Sequence, residues 1–420
     1  MSEPIKRRRA LTNVGGEVET SGDREAAAIL AHAIDVAPTE DEDAEDRAHV
    51  HGFHSYPARA HPVTARRLIE ELSPEGGTVL DPFCGSGTVL VEAMLAGRSA
   101  IGSDLNPIAV MLARAKTFPH APEKTAALVS AAHGVAEHAE KRRKAKAGAT
   151  KRLPPEDVAS FAPHVLLELD GLRAGIAEAP ASTRPELALV LSSILVKLSA
   201  RRGDTTEEQV GKRIAAGYPS KLFVKKAEDF ARRLDELFAL LETRSEARAL
   251  PPPRARVYED DATVLAKVED AAIDAVITSP PYVATYDYLA HHEMRLRWLG
   301  LDGRKLARGE IGARRNYARL GARETHAAWE GELTKLFTSL ARVLRRDGAL
   351  VLLIADSAQT TPRGPIAVRA DDVVARVAER GGRLVPIARA SQARPHFHGP
   401  TADAFRDRPR FEHALLLTKR

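Results

Sequence analysis

Two short stretches put unusual residue types side by side. Val79 to Thr88 reads VLDPFCGSGT, and Thr278 to Tyr282 reads TSPPY. In the first, an apolar run delivers Asp81 to the end of a strand. Gly85 and Gly87 then let the backbone turn tightly and come close to a ligand. The helix starting near Thr88 points its positive end at that ligand. Dinucleotide enzymes also carry a glycine turn, but here the third glycine of GxGxxG is missing and a carboxylate stands beside the turn. Asp81 would repel a pyrophosphate and suits a cationic, amine-bearing ligand. In the second stretch an apolar run stops at Ser279, followed by Pro280, Pro281 and Tyr282. Prolines fix φ and carry no N–H. The corner therefore presents a hydroxyl, a rigid carbonyl and a ring with little backbone competition.

Further acids stand at the ends of other apolar runs. Asp104, in SDLNP, serves either to bind ribose hydroxyls or to cap the helix ahead of Pro107. Asp260 and Asp261 end RARVYEDDA, where a carboxylate either accepts a hydrogen bond from an adenine amino group or is solvated in a loop.

Positioning these residues requires a parallel α/β sheet. GGTVL (Gly76 to Leu80) is expected to form a buried strand, TVLVEAMLAG a helix ended by Gly97, and SAIGSD a second strand. RARVYEDDA, AAIDAVITS and ALVLLIADS continue the sheet. LTKLFTSLARVLRRDG is an amphipathic helix with a glycine stop, and GRLVPIARA with FEHALLLTK forms a closing antiparallel pair. Between the two halves lies a mostly helical stretch. AEKRRKAKAGATKRLPPED reads as a surface loop or frayed helix. LALVLSSILVKLSA is a buried helix, and the stripe Phe223, Ala227, Phe230, Leu234, Leu237, Phe238 and Leu241 marks another. Asp204 with Glu207 resembles a capping box. The chain divides into 1–50, a charged and poorly ordered tail; 51–118, the first part of the sheet domain; 119–253, a helical insertion; and 254–420, the second part.

DPFCGSGT, an acid one strand later and TSPPY together resemble the S-adenosylmethionine-dependent amino-methyltransferases of DNA, which act on cytosine N4 or adenine N6. FHSYPARAHP (Phe53 to Pro62) and DYLAHHEMRLRWLGLDGRKLARGEIGARRNY (Asp287 to Tyr317) are similar to the same family. The likeness covers roughly 51–118 and 254–420. It implies a Rossmann-like class I methyltransferase sheet, mostly parallel with an antiparallel closing strand and interrupted by the insertion. It further implies that Asp81, Phe83, Gly85 and Gly87 shape the methionine side of the cofactor site. Asp104 would hold the ribose and Asp261 the adenine amino group, with Tyr56 and Pro57 closing over the methionine tail. Ser279, Pro280, Pro281 and Tyr282 would be the catalytic motif. An exocyclic aromatic amine is a poor nucleophile because its lone pair is delocalised. Ser279 Oγ and the Pro280 carbonyl would take its two N–H bonds and favour a pyramidal nitrogen. Tyr282 would stack on the extruded base. A sulfonium is a good leaving group, so the reaction requires neither a metal nor a covalent enzyme intermediate.

Serine at position 279 resembles the cytosine-N4 subgroup, and adenine-N6 methylation is the alternative. Cytosine methylation at ring carbon needs a cysteine after a proline, whereas Tyr282 follows Pro281 and Cys84 lies in the glycine loop. DNA is the expected partner, within a restriction-modification setting. RNA base methylation, small-molecule amine methylation and a non-catalytic binding role are the remaining readings. The insertion carries Lys197, Arg201, Arg202, Lys212, Arg213, Lys221, Lys225 and Lys226. Of these, Arg201, Arg202, Lys225 and Lys226 are the candidate nucleic-acid contacts, against the alternative of a solvated helical lid. His291, His292, His396 and His398 have no partners at zinc-finger spacing, so no metal is expected. Arg394 to Phe397 (RPHF) is a candidate to face the target base.

The bulk composition agrees with this reading. The chain has 420 residues, 44% hydrophobic, a formal charge of +5 and one cysteine. That predicts two or three folded units, mild preference for anionic partners and no internal disulfide. No apolar run is long enough to span a bilayer. The basic cluster Lys6 to Arg9 precedes no signal-like segment, so a cytoplasmic location is expected.

Overall fold

The structure, a computed structural model, describes residues 16–37, 44–57, 59–118, 121–203, 208–249, 251–283, 287–317, 320–361, 364–381, 383–394 and 399–420. The strands are β1 (Val18–Gly22), β2 (Thr78–Asp81), β3 (Ser99–Asp104), β4 (Ala255–Glu259), β5 (Ile273–Thr278), β6 (Leu344–Ala355), β7 (Ser357–Thr361), β8 (Gly364–Val368), β9 (Leu384–Arg394) and β10 (Arg410–Lys419). Eight of them form one sheet in the order β1-β9-β10-β6-β5-β2-β3-β4. Neighbours from β6 to β4 run parallel, whereas β10 lies antiparallel to β6 and β9, and β1 is antiparallel to β9. The anticipated closing pair is β9 with β10. The hairpin β7–β8 stands apart and has no counterpart in the expected elements.

The helices are α1 (Arg24–Ile34), α2 (Pro62–Leu72), α3 (Thr88–Leu95), α4 (Pro107–Thr117), α5 (Pro122–Lys144), α6 (Pro155–Ser160), α7 (Pro163–Glu178), α8 (Arg184–Leu198), α9 (Tyr218–Arg248), α10 (Tyr288–Leu299), α11 (Arg304–Gly309), α12 (Arg314–Tyr317), α13 (Ala322–Val343) and α14 (Ala370–Gly381). One sheet face carries α1, α2 and α3 against Val79, Ile277, Val351 and Leu353. The other carries α13 and α14 against Leu80, Val276, Leu350 and Leu352. This alternation of faces along each strand is what buries a central sheet on both sides.

The N-terminal stretch differs from its expectation. Residues 16–37 supply the edge strand β1 and helix α1, with Leu30, Ala33 and Ile34 buried. The apolar spacing Ala27, Leu30, Ala33, Ile34 was visible in sequence, but its partner face exists only once α2 and β9 are in place. Lys6 to Arg9, Asp204 with Glu207, and Pro395 to His398 lie outside the described residues. Helix α13 also begins eleven residues before the expected Leu333, and the strand after it takes up Arg345 to Gly348.

The insertion is helical, with α5 absorbing Ala139 to Lys144 of the stretch read as loop or frayed helix. Its apolar stripes do not form a free-standing body. Phe223, Phe230, Leu234, Leu191 and Leu195 share one core with Val91 and Met94 of α3 and with Ile108 and Leu112 of α4. Phe230 stacks on Phe53 with ring centroids 3.7 Å apart. Among the described residues no helix is long and apolar enough to cross a membrane.

Candidate active site

The chain leaves β2, builds β3 and β4 on one side, and returns through β5 on the other side of β2. This makes the β2/β5 edge a topological switch point, where ligands of open α/β sheets bind. The two stretches singled out in sequence meet there. Thr278 Oγ1 donates to Asp81 Oδ1 at 2.6 Å across 197 positions of sequence. The Phe83 N–H donates to the same oxygen at 3.1 Å.

Over this edge opens a cavity of about 850 Å³. Tyr56, Asp81, Phe83, Gly85, Asp104, Asp261, Ser279 and Pro281 all line it. The glycine turn is built as the residue types require. Gly85 has φ 47° and Gly87 φ 82°, both left-handed, and Gly87 is the N-cap of α3. A Cβ on Gly85 would sit 3.0 Å from the Tyr56 ring. That ring is held from behind by His292, 5.0 Å away centroid to centroid, and Asn106 Nδ2 donates to its hydroxyl at 3.3 Å.

The acids have distinct local duties. Asp104 does not cap α4; Asn106 does, accepting the Ile108 N–H at 3.1 Å. Asp104 instead accepts the Gly85 N–H at 2.9 Å and the Asn106 N–H at 2.8 Å, tying the glycine loop to the end of β3. Asp261 spends Oδ1 on the Thr263 N–H and hydroxyl, both at 2.8 Å. Asp260 accepts the Asp261 N–H and Lys267 N–H, so it is fixed by its own turn.

Asp81, Asp104, Asp260, Asp261 and Glu310 line the cavity against one base, Arg59. Burial pushes the Asp81 carboxyl up to about 7, opposed by the Thr278 and Phe83 hydrogen bonds. Burial likewise raises Asp104 to about 6, opposed by the Asn106 and Gly85 N–H groups. A concave site with clustered, burial-shifted carboxylates favours a ligand that brings positive charge. The donor set therefore fits a sulfonium cofactor with an amino group and does not fit a pyrophosphate.

Several expected residues lie elsewhere. Pro57 and Pro280 are not in the cavity lining, and Gly87 acts through the start of α3. Tyr282 is 4% exposed and packs in the core beside Ile311 and Trp329. It faces a second, much smaller cavity with Ile34, Ala60, Leu353, Ile354, Arg394, Glu412 and His413. A residue ending a strand turn gives no local sign of which side of the turn its ring will take. Glu310 was missed although its segment had been singled out. Its Oε1 accepts the Tyr288 N–H at 2.7 Å and its Oε2 the Arg315 guanidinium at 2.6 Å. Only the fold brings it to the rim.

The insertion touches this site from behind. His54 Nε2 lies 3.0 Å from Ser192 Oγ of α8, two residues before Tyr56. Three of its basic residues are engaged. Arg202 pairs with Glu208 at 2.8 Å and Lys226 with Asp229 at 3.5 Å, and Lys212 donates to the carbonyls of Val196 and Lys197 in the last turn of α8 and of Arg201 beyond it. Lys225 is exposed and Arg201 half-buried. Two side-chain groups outside the cavity have metal-ligand types, His49 with His51 and Glu92, and Asp356 with Asp371 and His413. In each, a histidine is already hydrogen-bonded to a carboxylate, His51 to Glu92 at 2.7 Å and His413 to Asp356 at 3.2 Å.

The family model described as DNA methylase matches residues 32–114, the stretch that contains the glycine loop and Asp104. Type II methyltransferase M.MvaI of Kocuria varians is 41% identical over 83 residues, 19% of this chain and 18% of that protein. Type II methyltransferase M.BsoBI of Geobacillus stearothermophilus is 27% identical over 282 residues, 61% of this chain and 54% of that protein. The chain thus spans about half, or less, of the length of these relatives. Among solved structures, the rRNA methyltransferase aviRa from Streptomyces viridochromogenes aligns over 93% of this chain and 96% of its own. Its TM-score is 0.33 and its identity 16%, a likeness too distant to bear on function. Residues 32–114, and the relatives that match this chain, give it a likeness to the DNA amino-methyltransferases.

Proposed function

We propose that the protein transfers a methyl group from S-adenosylmethionine to an exocyclic amino group of a base in DNA, with cytosine N4 as the acceptor. The observation that carries this reading is the Thr278–Asp81 hydrogen bond, which joins the TSPPY corner to the acidic cavity. Asp81 would hold the cationic, amine-bearing end of the cofactor, Asp104 its ribose and Asp261 its adenine amino group. The bound sulfonium supplies an electrophilic methyl group and leaves as a neutral thioether. Ser279 Oγ and the Pro280 carbonyl accept the two N–H bonds of the target amine and turn its lone pair toward the methyl carbon. An N–C bond forms as the C–S bond breaks, and one amine proton passes to water. Fixed acceptors at the site of developing charge and alignment of the reacting atoms account for the rate.

Labelled-methyl transfer to DNA and to RNA, followed by nucleoside analysis, tests the reading. Label in N4-methylcytosine from DNA is expected. Label in N6-methyladenine replaces the base, and label only in RNA replaces the polymer.

A further inference from the structure

Arg394 ends β9 on the same sheet edge as the TSPPY corner. In the ladder it stands three strands across from β5 and beyond the level of Thr278. Thr278 pairs with Leu352 of β6, Ala355 with Glu412 of β10, and Arg410 of β10 with Arg394. Arg394 is 4% exposed. Its Nε donates to Glu412 Oε2 at 2.9 Å, yet Nη1 and Nη2 have no hydrogen-bond partner among the described residues. Both facts belong to the small cavity that Arg394 lines with Tyr282 and Leu353.

A buried guanidinium with two idle NH2 groups is costly unless something else accepts them. Glu412 pairs with Arg394 and also stands 3.7 Å from Arg410; a group with two adjacent acceptors completes the hydrogen-bond set of Arg394. The two ends of a guanidinium fork match paired acceptors in one plane. From the amino group along its pairing edge, cytosine presents N3 and then O2, both acceptors. Adenine presents N1 and then a C–H.

We propose that Arg394 is a specificity-determining residue that reads N3 and O2 of an extruded cytosine, while Ser279 and Pro280 hold its N4 amine. This deepens the reading above and rests on it. Adenine in the same place would leave one NH2 group buried and unmatched, and a site built to hydrogen-bond a group strongly rejects the analogue that lacks it. Tyr282, which lines the same small cavity, then flanks the base.

The test is a cycle between one protein change and one base change. The methylated site is first mapped by sequencing labelled DNA, and an oligonucleotide carrying it is made with cytosine or 3-deazacytosine at the target. R394M is combined with E412Q so that no lone charge stays buried. R394K alone is the second variant, and S-adenosylmethionine affinity checks that each protein is folded. The natural protein is expected to lose about 10-fold or more in kcat/KM on 3-deazacytosine. R394M/E412Q is expected to lose about 100-fold on cytosine and to distinguish the two bases less than twofold. The intrinsic effect of the analogue on the amine is common to both proteins and cancels. Equal sensitivity to 3-deazacytosine in the natural protein and the variants overturns the role of Arg394. If that occurs with label in N4-methylcytosine, the cytosine reading stands and only Arg394 is lost. Label in N6-methyladenine instead overturns both.

Discussion

Two cavities flank the Ser279 to Tyr282 corner, and they are built for opposite tasks. The larger, over β2, β3 and β4, gathers five carboxylates around one arginine. The smaller, over β6, β9 and β10, offers a guanidinium whose terminal nitrogens lack partners among the described residues. The first is short of positive charge and the second is short of acceptors. Under the proposed function, a cationic methyl donor and a base with an acceptor edge would meet those needs, with the corner between them. The difference teaches that the rigid Ser-Pro-Pro turn works as a partition: its serine belongs to one side and its tyrosine to the other.

The partition is broken most severely by S279A. Removing one fixed acceptor is expected to lower methyl transfer by about 10²–10³-fold. Cofactor affinity, measured by calorimetry, should stay within about twofold, and full activity would show that the corner does not hold the amine. D261N sharpens the acidic side alone. It should weaken cofactor binding by about 10-fold through loss of a charge-assisted bond, while turnover at saturating cofactor is kept.

Proton linkage separates the two sides next. Asp81 near 7 and Asp104 near 6 hold protons that a cationic ligand must displace. Cofactor affinity should therefore rise with pH, by at most about tenfold per unit for each proton released, and level off above about 7. Calorimetry in buffers of different ionisation enthalpy would show the released protons. The unliganded protein follows the opposite sign. A carboxylate raised from 3.8 stabilises the folded state while protonated, and that contribution is lost as pH rises toward about 7. A pH-independent affinity between 5 and 8, roughly the window these shifts define, would mean that neither acid faces the ligand.

The smallest effect is expected from the insertion. Arg202 already pairs with Glu208, and Arg201 is half-buried. Reversing both to Glu should weaken DNA binding by only a few-fold, and the slope of log affinity against log salt should fall by about 2 if both touch phosphate. Unchanged affinity at every salt concentration would leave the insertion as a buttress. Its core with α3 and α4 and the His54–Ser192 contact already support that part of its role.

Much of the architecture was legible because its signals are local. The strand-turn-helix around Asp81 declares itself through glycines that must adopt positive φ, and the apolar runs of β2, β3, β5 and β6 are those of a sheet buried on both faces. The closing pair was readable from alternation and length. Strand β1 was hidden because five residues of mixed polarity become a strand only when β9 offers its edge. Glu310, Tyr288 and Arg59 were hidden for a similar reason, since a helix or loop residue reaches a rim through the path of the whole chain.

By itself, the sequence determined the chemistry available: carboxylates beside a tight glycine turn, and a hydroxyl with stiff carbonyls at a strand end. Those properties follow from residue type and backbone freedom. Tertiary structure alone decided which of these groups face one another. It set Thr278 against Asp81, turned Tyr282 away from the acidic cavity, and left Arg394 buried with two donors idle. The physical reason is that charge and hydrogen-bond demand are properties of a shared, dry volume. Such a volume exists only after strands far apart in sequence have paired.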